Sequence, residues 1–168
     1  EVGRGCWAGP LLVVAARASK SLPSGSADSK ALSRKQREKL FQLLIDCCDL
    51  GEGWVEPAEI DNLGLSAAMK LGVARALDSL GADYDSEIIM DGLINYCAPE
   101  FNRVECVAKA DSEHPIVSAA SIYAKVKRDQ LMIEKSAAYP GYGFDKHVGY
   151  GTKAHLAALQ SQGLTPLH

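Results

Sequence analysis

Two short apolar segments that each close on an aspartate constrain this chain more than any other feature. In "SEIIMDG" the apolar run ends at Asp91, and in "RVECVAKAD" the segment ends at Asp111. Both read as strands. Strands interleaved with long helical patterns build a layered α/β fold, and in open α/β sheets reactive groups sit at the strand ends.

The remaining segments supply the other layers. Pro10 to Ala16 (PLLVVAA) is a strand, followed by the loop "SKSLPSGSADSK". Ser33 with Gln36 forms a capping box for "SRKQREKLFQLLIDCCDL", where Phe41, Leu44, Ile45 and Cys48 recur at helical spacing. Gly51 to Pro57 reads as turn plus strand. Ala58 to Leu80 reads as one long helix with Gly81 just beyond its end. Its small residues (Ala67, Ala68, Gly72, Ala74, Ala76) suit close packing against a sheet. Ser118 to Ala137 is a helix stopped by Tyr139-Pro140-Gly141. The Gly/Tyr loop "YPGYGFDKHVGYG" follows, then a last helix, Thr152 to Gln162, closed by Gly163. There is no internal repeat and no linker. The expectation is a single α/β domain over residues 1–168 with a mixed sheet.

The net charge of −3 gives no basic field over the whole molecule, so a nucleic-acid site must be a local patch. No apolar run approaches the length that spans a bilayer, so no membrane partner is expected. Cys6, Cys47, Cys48, Cys97 and Cys106 include no C-x-x-C pair. They read as reduced core thiols of a cytoplasmic protein rather than as zinc ligands or a disulfide framework.

Glu1 lies just before the first full apolar run and adds a third carboxylate to Asp91 and Asp111. Three acids brought together repel one another unless a cation neutralises them. An all-oxygen ligand set selects a hard ion, Mg²⁺ or Mn²⁺, of the kind that serves phosphoryl transfer, often as a pair about 4 Å apart. The plainer reading of each aspartate is a turn former or a helix cap. Gly3-Arg4-Gly5 is either a tight turn or a place where backbone comes close to a ligand, with Arg4 available for a phosphate. Asp28-Ser29-Lys30 is either a turn or a lysine presented to a phosphate. Lys125 and Arg128, with Lys127 between them, form a solvated helix face or a phosphate-contacting one. Tyr139, Tyr142 and Tyr150 are packing residues or stack on a base or sugar.

In this order, "EVGRG", "DSK", "IIMDG", "AD…SAASIYAKVKRD", "YPGYGF" and "GYGTKAH" resemble the signatures of bacterial type 2 ribonuclease H. The resemblance is collinear and covers nearly the whole chain. It implies a ribonuclease H-like fold, with a mixed central β-sheet flanked by helices. It implies endonucleolytic cleavage of RNA in RNA–DNA hybrids and at single ribonucleotides embedded in duplex DNA, leaving a 5′-phosphate and a 3′-hydroxyl. The implied catalytic and metal-binding set is four acids. Glu1, Asp91 and Asp111 match three of them, and the fourth is an Asp immediately before the equivalent of Glu1. The chain is therefore expected to be truncated at both ends, with a non-catalytic hybrid-binding domain as the alternative. The resemblance also places Gly3, Arg4 and Gly5 at the ribose 2′-hydroxyl, Tyr150 at the RNA–DNA junction, and Lys30, Lys125 and Arg128 toward backbone phosphates. A monomer is expected.

Overall fold

The computed structural model describes residues 1–23 and 32–168. Lys30, with the Asp28-Ser29-Lys30 stretch around it, lies outside the described residues. The order is β1 (Leu11–Ala18), α1 (Arg34–Cys47), β2 (Cys48–Val55), α2 (Pro57–Leu63), α3 (Leu65–Leu80), β3 (Ile88–Asp91), β4 (Val104–Val107), α4 (Ala110–Glu113), α5 (Pro115–Ala138), α6 (Phe144–His147) and α7 (Lys153–Gln162).

β1 sends alternate side chains to two layers, as a strand buried on both faces must. Leu11 and Val13 pack with Val55 of β2 and with Ala68, Met69 and Val73 of α3. Leu12 packs on Ala124 of α5, and Val14 meets the Phe41, Tyr123 and Val126 cluster of α1 and α5. The β1–β2 ladder thus lies between α3 on one side and α1 with α5 on the other. Leu11 and Leu12 are fully buried, which stabilises the fold by about 2 kcal/mol each.

β1 and β2 are antiparallel, from Leu11↔Val55 to Ala18↔Cys48. β3 and β4 are parallel, from Ile88↔Val104 to Asp91↔Val107. Both orientations are present, as a mixed sheet requires, but among the described residues they form two separate two-stranded ladders. Residues of β1 and β3 line a common groove of about 440 Å³ between the ladders.

Four local readings shift. The capping box forms, with Gln36 N–H donating to Ser33 Oγ (3.4 Å) and Ser33 N–H to Gln36 Oε1 (2.8 Å). However, α1 stops at Cys47, because residues 48–50 are captured as strand by their pairing with β1. The long helix over 58–80 is broken by Gly64 (φ +75°), which separates α2 from α3. α5 starts earlier than expected, on Pro115, a residue preorganised for a first helical turn. The segment ending at Asp111 is strand only to Val107. Lys109 turns through the left-handed region (φ 59°), and Asp111 falls in the short helix α4.

α3 packs directly on the backbone of β2. A Cβ on Gly53 would collide with the Gly72 carbonyl oxygen and lie 2.8 Å from Ala76 N. Both obstacles are helix backbone and cannot swing away. Gly53→Ala is therefore expected to lower stability by about 3 kcal/mol, read as a reduced urea midpoint at unchanged m-value.

Candidate active site

The carboxylates are set by how the ends of the ladders are tied. At the end of β3 the Gly92 N–H donates to Val107 O (2.9 Å), and Asp91 Oδ1 accepts from the Ala110 N–H (3.0 Å). Asp91 is thereby fixed against the first residue of α4, and Asp111 follows it in the chain. Asp111 is buried and Asp91 exposed. Val2 exchanges both backbone hydrogen bonds with Leu12 (2.9 Å each), which holds exposed Glu1 beside β1.

Glu1, Asp91 and Asp111 all line the groove between the ladders. The donor chemistry suits a hard divalent cation. Yet among the described residues no three His, Cys, Asp or Glu side chains stand close enough together to hold a metal ion. The structure brings the acids to one groove without gathering them into a ligand set.

A second pocket, of about 370 Å³, adjoins the first. Its walls include Gly3, Arg4, Gly5, Lys125 and Tyr150, and it shares Glu1 and Ser121 with the acidic groove. The two glycines differ physically. Gly3 has φ +104°, and a Cβ there would lie 2.7 Å from Pro10 O and 2.8 Å from Arg128 Nε, so its own fold demands glycine. Gly5 has neither constraint, with open space where a Cβ would go.

Lys125 Nζ pairs with Asp129 (2.7 Å) and sits 5.4 Å from the Tyr150 ring centre. Tyr150 bridges Cys6 in the backbone and keeps 39% of its surface exposed. Burial of the rest of the side chain raises the phenol's pKa, and the neighbouring Cys6 thiol adds to the rise. Burial likewise raises the pKa of Cys6.

Two groups of sequence candidates do not sit at this surface. Arg128 is fully buried, and its guanidinium donates to Ala8 O (2.9 Å), Pro10 O (2.8 Å) and Val148 O (2.8 Å). A group so enclosed is an internal clamp, not a contact for backbone phosphate. Tyr142 is buried, stacks on Phe144 at 5.5 Å and donates its hydroxyl to Gly163 O (2.8 Å). Tyr139 meets the same phenylalanine edge-on. Of the three tyrosines, Tyr150 alone lines the pocket.

Sequence reasoning missed Ser121 and Arg37 on the pocket wall. Ser121 was legible, since it precedes Lys125 by four residues and so shares its helix face. Arg37 had no such signal. It reaches the pocket because α1 packs on α5, and it also donates to Leu32 O (2.6 Å).

Known structures share this architecture. A chain in the structure of the PCNA:RNase HII complex from Archaeoglobus fulgidus matches with a TM-score of 0.82 at 26% identity, over 99% of this chain and 89% of that one. Bst-RNase HIII in complex with Mn²⁺ has the same fold, with a TM-score of 0.72 at 20% identity over 99% of this chain and 62% of that chain. The architecture is therefore that of the ribonuclease H-like nucleases. The family model for ribonuclease HII matches residues 1–168. The ribonuclease HII of Coxiella burnetii is 40% identical over 171 aligned residues, covering 100% of this chain and 83% of that protein. The chain belongs to the ribonuclease HII family, and is thus an endoribonuclease of the class that acts on RNA–DNA hybrids.

The burial of Arg128 has a measurable consequence. Arg128→Lys cannot reach three carbonyls at once, so it is expected to cost about 3 kcal/mol of stability in urea denaturation. The salt dependence of hybrid binding should stay unchanged, because no phosphate contact is removed.

Proposed function

We propose that this chain cuts RNA at the junction of the two pockets, both in RNA–DNA hybrids and at a single ribonucleotide within duplex DNA. The observation that carries the reading is the sharing of Glu1 and Ser121 between the acidic groove and the glycine-lined pocket. A ribose held in one pocket would have its phosphate at the mouth of the other. The 2′-hydroxyl is what distinguishes RNA from DNA at a single site, so it must be read directly. Gly5 supports that role, because neither its conformation nor its packing calls for glycine, whereas close approach of backbone to a ligand does.

Tyr150 would stack on the base or sugar beside the cut, with Lys125 and Arg4 neutralising phosphates. Lys30 is assigned to a phosphate on the resemblance alone. Glu1, Asp91 and Asp111 would hold Mg²⁺ or Mn²⁺, which would supply an activated water and charge stabilisation at the phosphate and the leaving 3′-oxygen. The products would be a 5′-phosphate and a 3′-hydroxyl. The chain would act as a monomer in the cytoplasm, where its free thiols suit a reducing environment. The spacing of the acids favours a second reading, a domain that binds hybrid without cutting it. A cleavage assay with the divalent ion present separates the two.

Cleavage is expected to require Mg²⁺ or Mn²⁺ and to stop in excess EDTA. Asp91→Asn and Asp111→Asn should each lose at least about 10²-fold in rate with the circular dichroism spectrum intact. Near-normal rates would remove that residue from the set.

Gly5→Ala offers a separate test of substrate reading. The thermal midpoint should not move, because the added methyl meets nothing, while cleavage at a single ribonucleotide should fall by about 10-fold or more. An unchanged rate would return Gly5 to the status of a plain turn residue.

A further inference from the structure

Behind Tyr150 lies a chain of three histidines that the proposed chemistry does not use. His147 of α6 and His155 of α7 are buried and stack at 4.5 Å between ring centres. His155 Nε2 lies 2.9 Å from Nε2 of His168, and His155 Nδ1 lies 3.0 Å from Tyr150 O. His147 Nε2 lies 2.7 Å from Tyr142 O.

Backbone donors fix every proton in this chain, because an amide N–H can only donate. The Thr165 N–H points at His168 Nδ1 (2.9 Å), so that nitrogen accepts and Nε2 carries the hydrogen. His168 Nε2–H then donates to His155 Nε2, and His155 Nδ1–H donates to Tyr150 O. The Gly149 N–H points at His147 Nδ1 (3.3 Å), so His147 donates from Nε2 to Tyr142 O. In this arrangement each ring carries one N–H, and every ring nitrogen is engaged. An added proton on His155 would face the N–H of His168, and one on His147 would face the Gly149 N–H. One on His168 Nδ1 would displace the Thr165 N–H, even with Thr165 Oγ1 2.9 Å away to accept it.

The segment so tied stands under strain. Val148 has φ 44°, a conformation that a β-branched residue adopts only when its surroundings enforce it. We propose that His147, His155 and His168 are positioning residues that hold Tyr150 on the wall of the substrate pocket, and that they do so only while His155 and His168 are neutral. The proposal rests on the reading of Tyr150 as the residue that stacks on substrate.

The surroundings leave His155 and His168 no route to stabilise a charge. Tyr142 faces His168, and the Trp7 ring faces His155. Arg128 is engaged on Val148 O. Asp145, Lys146 and Lys153, on the same helices, are exposed. Among the described residues no side-chain carboxylate touches the chain of rings. Burial pushes His155 and His168 below the ordinary histidine pKa of 6.5. The unfolded chain therefore takes up protons first. The stabilising contribution is complete above pH 6.5 and falls away below it, toward the lowered values of the folded state.

The test begins with the unaltered protein. Imidazole ¹⁵N resonances should report Nε2–H on His147 and His168 and Nδ1–H on His155, with no titration of His155 or His168 at the ordinary midpoint. Opposite tautomers, or ordinary titration, would overturn the relay. The second arm measures dissociation constants for a labelled duplex DNA with one ribonucleotide, in EDTA at pH 7.5. Tyr150→Ala and His168→Ala should each weaken binding by about 10-fold, and the double variant no further than Tyr150→Ala alone. His168→Gln, whose amide N–H can still donate to His155, should restore most of the loss. If Tyr150→Ala has no effect, the stacking reading fails. If Tyr150→Ala weakens binding and His168→Ala does not, or the two effects add, the positioning proposal fails. The Tyr150→Ala effect should also shrink toward unity below the pH at which the His155 and His168 resonances are seen to titrate, and a constant ratio across that titration would exclude the neutral-only condition.

Discussion

One buried guanidinium joins the parts of this molecule that must work together. Arg128 leaves α5, which packs on the β1–β2 ladder, and donates to carbonyls before β1 and to one in the segment after α6. The first contacts hold Ala8 and Pro10, in the segment that follows the turn carrying Gly3 and Gly5. The last fixes Val148, two residues before Tyr150. A buried charge is costly unless hydrogen-bonded, and a rigid planar fork can satisfy several carbonyls where an ammonium cannot. The clamp sets the distance between the two walls of the pocket, while Gly3 leaves room for the guanidinium itself.

The acids depend on a different device. Asp91 ends β3, Asp111 lies in α4 just beyond the β3–β4 ladder, and Glu1 precedes Val2, which bridges to Leu12 of β1. The glycine pocket is lined instead by the segment before β1, by α1 and α5, and by Tyr150. On the proposed reading, recognition falls to segments joined by Arg128 and α5, and carboxylate chemistry to the groove between the ladders.

What could be read in advance follows how local each cause is. The Ser33–Gln36 box and the Gly81 cap were legible because both ends of each interaction lie within one turn of helix. Asp111 was placed on the right side of the molecule but on the wrong element. The left-handed residue that breaks the strand is Lys109, and no glycine marked it. Arg128 was misread because charge on a helix ordinarily means solvent or ligand. Its partners are carbonyls more than a hundred positions away, at Ala8 and Pro10. A signal did exist. Ala124, Arg128 and Met132 recur at four-residue spacing, and all three are fully buried. An arginine within an otherwise apolar row points to an internal clamp, whereas Ser121 and Lys125 form the neighbouring row that faces the pocket.

That contrast bears on how basic residues should be weighed in a chain with net charge −3. The local positive field at the pocket comes from Arg4, Arg37 and Lys125, and Lys125 is already paired with Asp129. Lys127 faces Glu52 instead (3.3 Å), within a cluster where Tyr123 and Trp54 also donate to that carboxylate. Burial alone would raise the Glu52 pKa, but these donors hold it below the ordinary range, so the carboxylate stays charged and keeps Lys127 turned inward. Three cations thus line the pocket, one of them already paired. On the proposed reading, discrimination at this surface leans on close backbone approach at Gly5 and on the Tyr150 ring, which respond to the shape of one sugar and one base more than to the charge of a long duplex. A site balanced in that way would suit a lone ribonucleotide within DNA, where the phosphates on either side carry no distinguishing charge.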